Sequence, residues 1–402
     1  MSFNPEQFIK TRGPWHFIPD WDDLVDPDFD FKTETQYNKG WEKQSYAHEL
    51  ISPPPYDGIL VSKVVEEKSV ARRKRIRALG VKGALRVPQD FPVLGDCGAF
   101  GYIDEKIPPY SSADVFDYYT AGGFDFGVSV DHLIPSPEFS DREFRLKITI
   151  ENAAEFIKIH TREKPRWIAV GAVQGWNTES YGECAAKLVK MGYTYLAVGG
   201  LVRTKNDEVR KIVSEVRKAA PLVPLHLFGV ARPQLFDLFP DYGVFSVDSA
   251  SALRRAWMGS TDNYHTSDGS YCAVRVPSPG GRGPLKNLAG SELSSATKLE
   301  SKVLDELMKY GEYKSDISTL ENLLEEYEGL YVQKGKSRLE GYLKTLKDRP
   351  WEKCMCPICK SSGIQTLIFR GNNRNRRRGF HNTWVLQQKF IAMREKYANQ
   401  EN

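Results

Sequence analysis

Short β-prone runs, each closed by a small or polar residue, recur through the middle of this chain and constrain its fold more than any other feature. "FPVL" precedes Gly95 and Asp96, "FGVSV" leads to Asp131, "RWIAVGAV" precedes Gln174 and "TYLAV" precedes Gly199. "PLHLF" before Gly229 and "GVFSV" before Asp248 continue the series. Between several of them, "ENAAEFIKIHT", "SYGECAAKLVKMG" and "KNDEVRKIVSEVRKAA" carry apolar residues at helical spacing. Strand and helix alternating over about 250 residues predict an α/β fold with a parallel sheet, and the number of repeats fits a (β/α)8 TIM barrel better than an open sheet. No glycine-rich dinucleotide fingerprint favours the open sheet.

Barrels of this kind build their sites at the C-terminal ends of the strands. The residues that close the runs are therefore candidates: Asp96, Asp131, Gln174, Gly199, Gly200, Gly229 and Asp248. Each also has a plainer reading, since an Asp after a strand caps the next helix and a Gly makes a tight turn.

Residues 1–58, rich in aromatics, Asp and Pro, show little periodicity and read as an N-terminal extension packed on the barrel. The barrel is expected over 59–345, with a hairpin around "YCAVRVP" and the packing helices "LESKVLDELMKYG" and "ISTLENLLEEYEGLY" near its end. Residues 346–402 read as a metal-binding subdomain ending in a helix.

The subdomain rests on "KCMCPICK". Six cysteines are few for 402 residues, and three of them, Cys354, Cys356 and Cys359, are clustered as C-x-C-x-x-C. In a reducing compartment such a cluster points to metal rather than disulfides. His381, in "GFHNTW", is the best fourth ligand, and three thiolates with one imidazole make a closed tetrahedral site for a structural Zn2+.

Formal net charge is only +4, so a polyanion partner has to be sought in local clusters. "VARRKRIRALG" gathers Arg72, Arg73, Lys74, Arg75 and Arg77; "RGNNRNRRRGF" gathers Arg370, Arg374, Arg376, Arg377 and Arg378. Two such clusters suggest phosphate-binding surfaces, the second read as a loop held by the metal, against the bland reading of solvated faces. No apolar run is long enough to span a membrane and the N-terminus has no secretion signal, so a cytoplasmic location is the expectation.

The C-x-C-x-x-C cluster followed by His-Asn at the start of a helix resembles the zinc site of the tRNA-guanine transglycosylases. "GDCGAFGY", "FDFGVSVDHLIP", "GAVQGW", "AVGGLV", "HLFGVARP" and "FSVDSAS" resemble further motifs of that family, in the family's order, across roughly residues 90–395. The resemblance implies a (β/α)8 barrel with a zinc subdomain and an exchange of guanine in a polynucleotide for a 7-deazaguanine base. It implies Asp248 as nucleophile and Asp96 as general acid and base. Asp131, Gln174, Gly199, Gly200, Leu201 and Gly229 would read the base, with Phe100 and Phe228 as candidate walls. Arg370, Arg374, Arg376, Arg377, Arg378, Arg72, Arg73 and Arg75 would meet backbone phosphates.

"DCGAFGY" departs from the family's D-S-G-G-F-Q, and the archaeal type of C-terminal RNA-binding domain is not seen. This resembles the branch that places 7-cyano-7-deazaguanine in DNA, with tRNA the alternative substrate and a catalytically inactive nucleic-acid-binding subunit the rival. Accessory DNA-modification proteins and a homodimer are further expectations from the family.

Overall fold

Trp15–Pro19 begins the barrel, inside the segment expected to be an extension. The computed structural model describes residues 3–11, 13–281, 283–332 and 336–400. Eight parallel strands close on themselves in sequence order: β1 (Trp15–Pro19), β2 (Gly58–Ser62), β3 (Val93–Asp96), β4 (Phe126–Val128), β5 (Ile168–Val173), β6 (Leu196–Val198), β7 (Leu225–Leu227) and β8 (Val244–Asp248). Closure is made by Trp15, His16 and Phe17 of β1 lying against Ser246, Val247 and Asp248 of β8. The chain divides into two compact units, residues 1–21, 56–250 and 390–402 forming the first and 22–55 with 251–389 the second. The boundaries read from sequence are thus corrected at both ends. β1 was missed because "WHFIP" has neither period-two alternation nor a helix after it, and the following segment joins the second unit.

Apolar residues fill the barrel: Phe17, Leu60, Leu94, Phe126, Val128, Val170, Tyr195, Ala197 and Phe245 are buried together. Phe3 and Phe8 pack on this core beside Trp15, Phe8 meeting Phe126 at 6.1 Å and Phe245 at 5.3 Å between ring centroids.

Local chemistry sets the strand exits. After β5, the Asn177 side chain accepts from the Ser180 N–H and starts helix Thr178–Lys190, which buries Tyr181, Cys184, Ala185 and Leu188 at helical spacing. After Tyr110, Ser111 and Asp114 cap helix Ser112–Gly122 reciprocally.

In the second unit, helices Gly290–Gly311, Ile317–Glu328 and Leu339–Asp348 bury Val303, Leu307, Leu320, Leu324 and Leu346. The expected hairpin is split. Ser270–Tyr271 pairs antiparallel with Tyr264–His265, whereas Val274–Arg275 pairs in parallel with Ile368–Phe369.

The arginine-rich segment is no loop; it forms the first turns of helix Gly371–Gln400. Its guanidinium groups face inward. Arg374, Arg377 and Arg378 are buried, and Arg378 donates to the carbonyls of Ala256, Thr366 and Ile368 and to Asn375. Arg374 reaches Glu34, Gln365 and the Phe31 carbonyl, and Arg377 the carbonyls of Asp26 and Pro27. Arg370 pairs with Glu34 and Glu300, and Arg376 with Asp23 and the Leu24 carbonyl. A guanidinium offers five donors, so carbonyls keep it charged inside a protein. These five arginines clamp segment 22–55 and the unit's own core, and the expectation that they contact phosphates is corrected.

Candidate active site

The first unit gathers three carboxylates at its strand ends. Asp96 is the last residue of β3, followed directly by Cys97 and by Gly98 at φ +85°. Burial lifts its carboxyl to about 8, and the carboxylates of Asp131 and Asp248 add to the rise. A carboxylic acid that keeps its proton at neutral pH suits a general acid.

Asp131 follows β4 and is buried, its carboxyl raised to about 6 by burial against the opposing hydrogen bond from Gln174. The loops after β3 and β4 are tied together. Tyr102 donates its hydroxyl to the Asp131 carbonyl at 3.0 Å, and the Arg145 guanidinium spans the carbonyls of Leu133 and Ile103. Gln174 Nε2 donates to Asp131 Oδ2 at 2.6 Å, while its buried Oε1 has no partner among the described residues. The amide reads as a hydrogen-bonding group held ready, since a buried acceptor left unmade is costly.

The turn after β6 comes close to this pair. A Cβ on Gly199 would stand 2.3 Å from Gln174 Nε2, and Gly200 has φ +78° with the Tyr181 hydroxyl 2.5 Å from where its Cβ would be. Tyr181 donates to the Gly199 carbonyl at 3.0 Å. Leu201 is fully buried, and its carbonyl and that of Val202 both accept from Arg232.

Asp248 ends β8 and is 7 % exposed. Its Oδ1 accepts from the Gly229 N–H at 2.9 Å and lies 3.2 Å from His226 Nε2. Gly229 can present that N–H because it adopts φ +70°, and a Cβ there would press Val202 at 2.5 Å. The structure therefore brings Asp96, Asp131, Gln174, Gly199, Gly200, Gly229 and Asp248 into one connected set. Phe228 is half-buried, 4.8 Å edge-on to His226, but Phe100 is 56 % exposed on the turn after Asp96.

On helix Val70–Leu85, Arg72 is buried against Asp20, which corrects its expected phosphate role. Arg73 and Arg75 are half-buried, while Lys74 and Arg77 are exposed. Arg73 and Arg77 line a surface cleft with Glu66, Glu67, Asp114 and Asp117, so the sign of charge there is mixed.

In the second unit, the ligand atoms of Cys354, Cys356, Cys359 and His381 lie within 4.8 Å of one another. His381 Nδ1 is 3.5, 3.4 and 3.4 Å from the three sulfurs, and its Nε2 donates to the His265 carbonyl at 2.8 Å. That bond fixes the tautomer that leaves Nδ1 free to ligate. The Tyr264 ring stacks on His381 at 4.0 Å, and its hydroxyl lies 3.2 Å from Cys359 Sγ. The N–H of Cys359 donates to Cys356 Sγ at 3.2 Å. The donor set fits a metal ion held by three thiolates and one imidazole, a closed four-ligand set.

The family described as queuine tRNA-ribosyltransferase matches residues 109–401. The chain belongs to that family. It is 36% identical over 401 residues to the DNA-guanine transglycosylase of Salmonella montevideo, covering 92% of this chain and 95% of the relative. The tRNA-guanine(15) transglycosylase of Archaeoglobus fulgidus is 27% identical over 191 residues, covering 45% of this chain and 39% of the relative. That of Pyrococcus abyssi is 27% identical over 54% of this chain and 36% of the relative. Membership makes the chain a transglycosylase. Among the described residues no helix is long and apolar enough to cross a membrane.

Sequence reasoning did not single out His226, Ser246, Tyr195, Tyr102, Arg145 or Arg232. A signal existed for two of them. Ser246 stands two residues before Asp248, and His226 two before Phe228, so period-two alternation puts each on the face of its candidate neighbour.

Proposed function

We propose that this transglycosylase exchanges guanine in DNA for a 7-deazaguanine base through an aspartyl–sugar intermediate. The observation that carries the reading is the division of labour between Asp96, whose carboxyl is raised to about 8, and Asp248, whose carboxylate accepts from the Gly229 N–H. A carboxyl that burial keeps protonated, set beside a second one oriented by hydrogen bonds, is the arrangement that divides donor from nucleophile in glycosyl chemistry.

In the first half-reaction an Asp248 oxygen bonds to the anomeric carbon as the bond to guanine breaks. The bonding electrons leave with the base, and Asp96 supplies its proton. In the second, Asp96 takes the ring proton of the incoming base, whose nitrogen attacks the same carbon and releases the Asp248 carboxylate. Asp131 would accept from the donor edge of the base, with Gln174 turning its amide from Asp131 to the keto oxygen. Phe228 and the exposed Phe100 are the proposed walls for an extruded base.

DNA is preferred over tRNA because the likeness to a DNA-guanine transglycosylase runs nearly end to end, while the tRNA-guanine(15) transglycosylases align over about half of the chain. A 7-cyano group, a pure acceptor, suits the pocket better than an aminomethyl group, because Arg232 already occupies the Leu201 and Val202 carbonyls that an amine would seek. Zinc is the metal proposed for the cysteine–histidine cluster, where it would hold the fold of the second unit and supply no step of the exchange. Guanine in a duplex must be unpaired first, which gives accessory strand-opening proteins a purpose; the homodimer remains a proposal from the family.

The test is incorporation of labelled 7-cyano-7-deazaguanine into single-stranded DNA, duplex DNA and unmodified tRNA by the purified protein. Label in DNA is expected. Label in tRNA alone would overturn the substrate assignment, and label in neither would support the inactive-subunit alternative.

A further inference from the structure

A buried file of polar groups runs away from Asp248 into the barrel. His226 Nε2 lies 3.2 Å from Asp248 Oδ1, His226 Nδ1 lies 2.6 Å from Ser246 Oγ, and Ser246 Oγ lies 2.5 Å from the Tyr195 hydroxyl. His226 and Ser246 are wholly buried and Tyr195 is 1% exposed. Such a file in an otherwise apolar barrel core is expensive unless each member is satisfied.

The backbone makes room for it deliberately. Leu225 lies opposite Val244 but His226 lies opposite Ser246, so Phe245 is an extra residue on β8. The bulge lets Phe245 stay in the apolar core while Ser246, the next residue, also turns to His226. Edge-on contacts from Phe17 at 6.2 Å and Phe228 at 4.8 Å fix the plane of the imidazole.

Only one arrangement of protons satisfies the file. Asp248 Oδ1 accepts the Gly229 N–H, so a lone pair on Nε2 would face a second acceptor. Nε2 must carry the proton, Nδ1 must accept from Ser246, and Ser246 must accept from Tyr195. A neutral imidazole meets every requirement, and both donors fall on Oδ1 of the carboxylate.

We infer that His226, oriented by Ser246 and Tyr195, is a positioning residue that anchors Oδ1 of Asp248 and leaves Oδ2 to attack the sugar. The inference rests on the nucleophile role given to Asp248 above. It explains why a histidine occupies the middle of a three-residue barrel strand, where an apolar residue would pack with less cost.

The experiment compares His226→Phe, His226→Gln and Ser246→Ala in single-turnover exchange on DNA, with Asp248→Ala as reference, and reads the wild-type and Ser246→Ala imidazole by 15N NMR. His226→Phe keeps the ring but no donor; kcat is expected to fall about 10²-fold, with KM for the incoming base within about threefold, the signature of a misaimed nucleophile. His226→Gln restores a donor near the Nε2 position and should recover most of that loss. Wild-type spectra should place the proton on Nε2, and Ser246→Ala should shift the tautomer balance away from it.

An unchanged kcat in His226→Phe, or a wild-type proton on Nδ1, would overturn the inference. Should His226→Phe fail to fold, the tautomer measurement decides alone. Retained exchange in Asp248→Ala would instead sink the nucleophile assignment, an outcome separate from the spectroscopic one.

Discussion

The strand ends of the barrel and the cysteine–histidine cluster are both small sets of polar residues, yet they treat their valences in opposite ways. In the barrel, Asp96 and Asp131 are held with carboxyls raised to about 8 and about 6, and Gln174 Oε1 is buried without a partner among the described residues. In the cluster, the second nitrogen of His381 is spent on the His265 carbonyl and Tyr264 covers both His381 and Cys359. Polar groups left with unused capacity are the mark of a site that awaits a ligand, and saturated ones are the mark of a site that holds a fold.

Breaking the two sites should therefore have different consequences. The largest effect is expected from Asp248→Ala, which removes the proposed nucleophile; single-turnover exchange should fall by about 10⁴-fold or more. Asp248→Asn should lose activity and trap no covalent adduct on a denaturing gel.

Asp96→Asn should cost about 10²–10⁴-fold in release of guanine, the range of a general acid. It should also stabilise the protein in a defined pH window. The folded carboxyl titrates near 8 and its ordinary value is 3.8, so between those values the native state binds a proton that the unfolded chain has released. Stability then falls as pH rises from about 4 to about 8, and a neutral Asn escapes the fall. The midpoint of Asp96→Asn should exceed that of the wild type at pH 8 and converge with it at pH 4. Guanine release by the wild type should decline above about pH 8 as the proton is lost. Equal pH dependence of the two midpoints would remove the acid role from Asp96.

Metal removal sharpens the other side of the comparison. Cys359→Ser, or prolonged chelation, should release one equivalent of zinc and destabilise the second unit by on the order of several kcal/mol, read as a lowered unfolding midpoint. A protein that melts unchanged after losing its metal would refute a structural role.

The smallest effects separate the two arginine segments. Arg378→Met should destabilise by about 3 kcal/mol, because three carbonyls and Asn375 lose their donor inside the protein. Arg77→Ala, at an exposed position, should change stability by less than about 0.5 kcal/mol and report only on DNA affinity and its salt dependence.

Much of this was legible without coordinates. Six of the eight strands were visible as apolar runs closed by Asp, Gln or Gly, and the Cys354, Cys356, Cys359 and His381 set could be named from spacing and ligand chemistry. The acids at the ends of β3 and β8 followed from where barrels place their sites. The misreadings share one cause. Arg374 reaches the Phe31 carbonyl and Arg377 that of Asp26, residues more than three hundred positions away, so nothing near either arginine announces that it is buried. β1 owes its place to β2 and β8 on either side, and no local periodicity replaces that pairing.

The sequence by itself determined the βα repeat, the acids that close its strands and the clustered thiols that could hold a metal, because each depends on residue type at short range. Tertiary structure alone decided which charges are exposed, which carboxyl burial raises and which polar groups face His226. Those depend on burial and on partners supplied by distant strands, and a hydrogen bond or a desolvated charge acquires its energy only once both sides are in place.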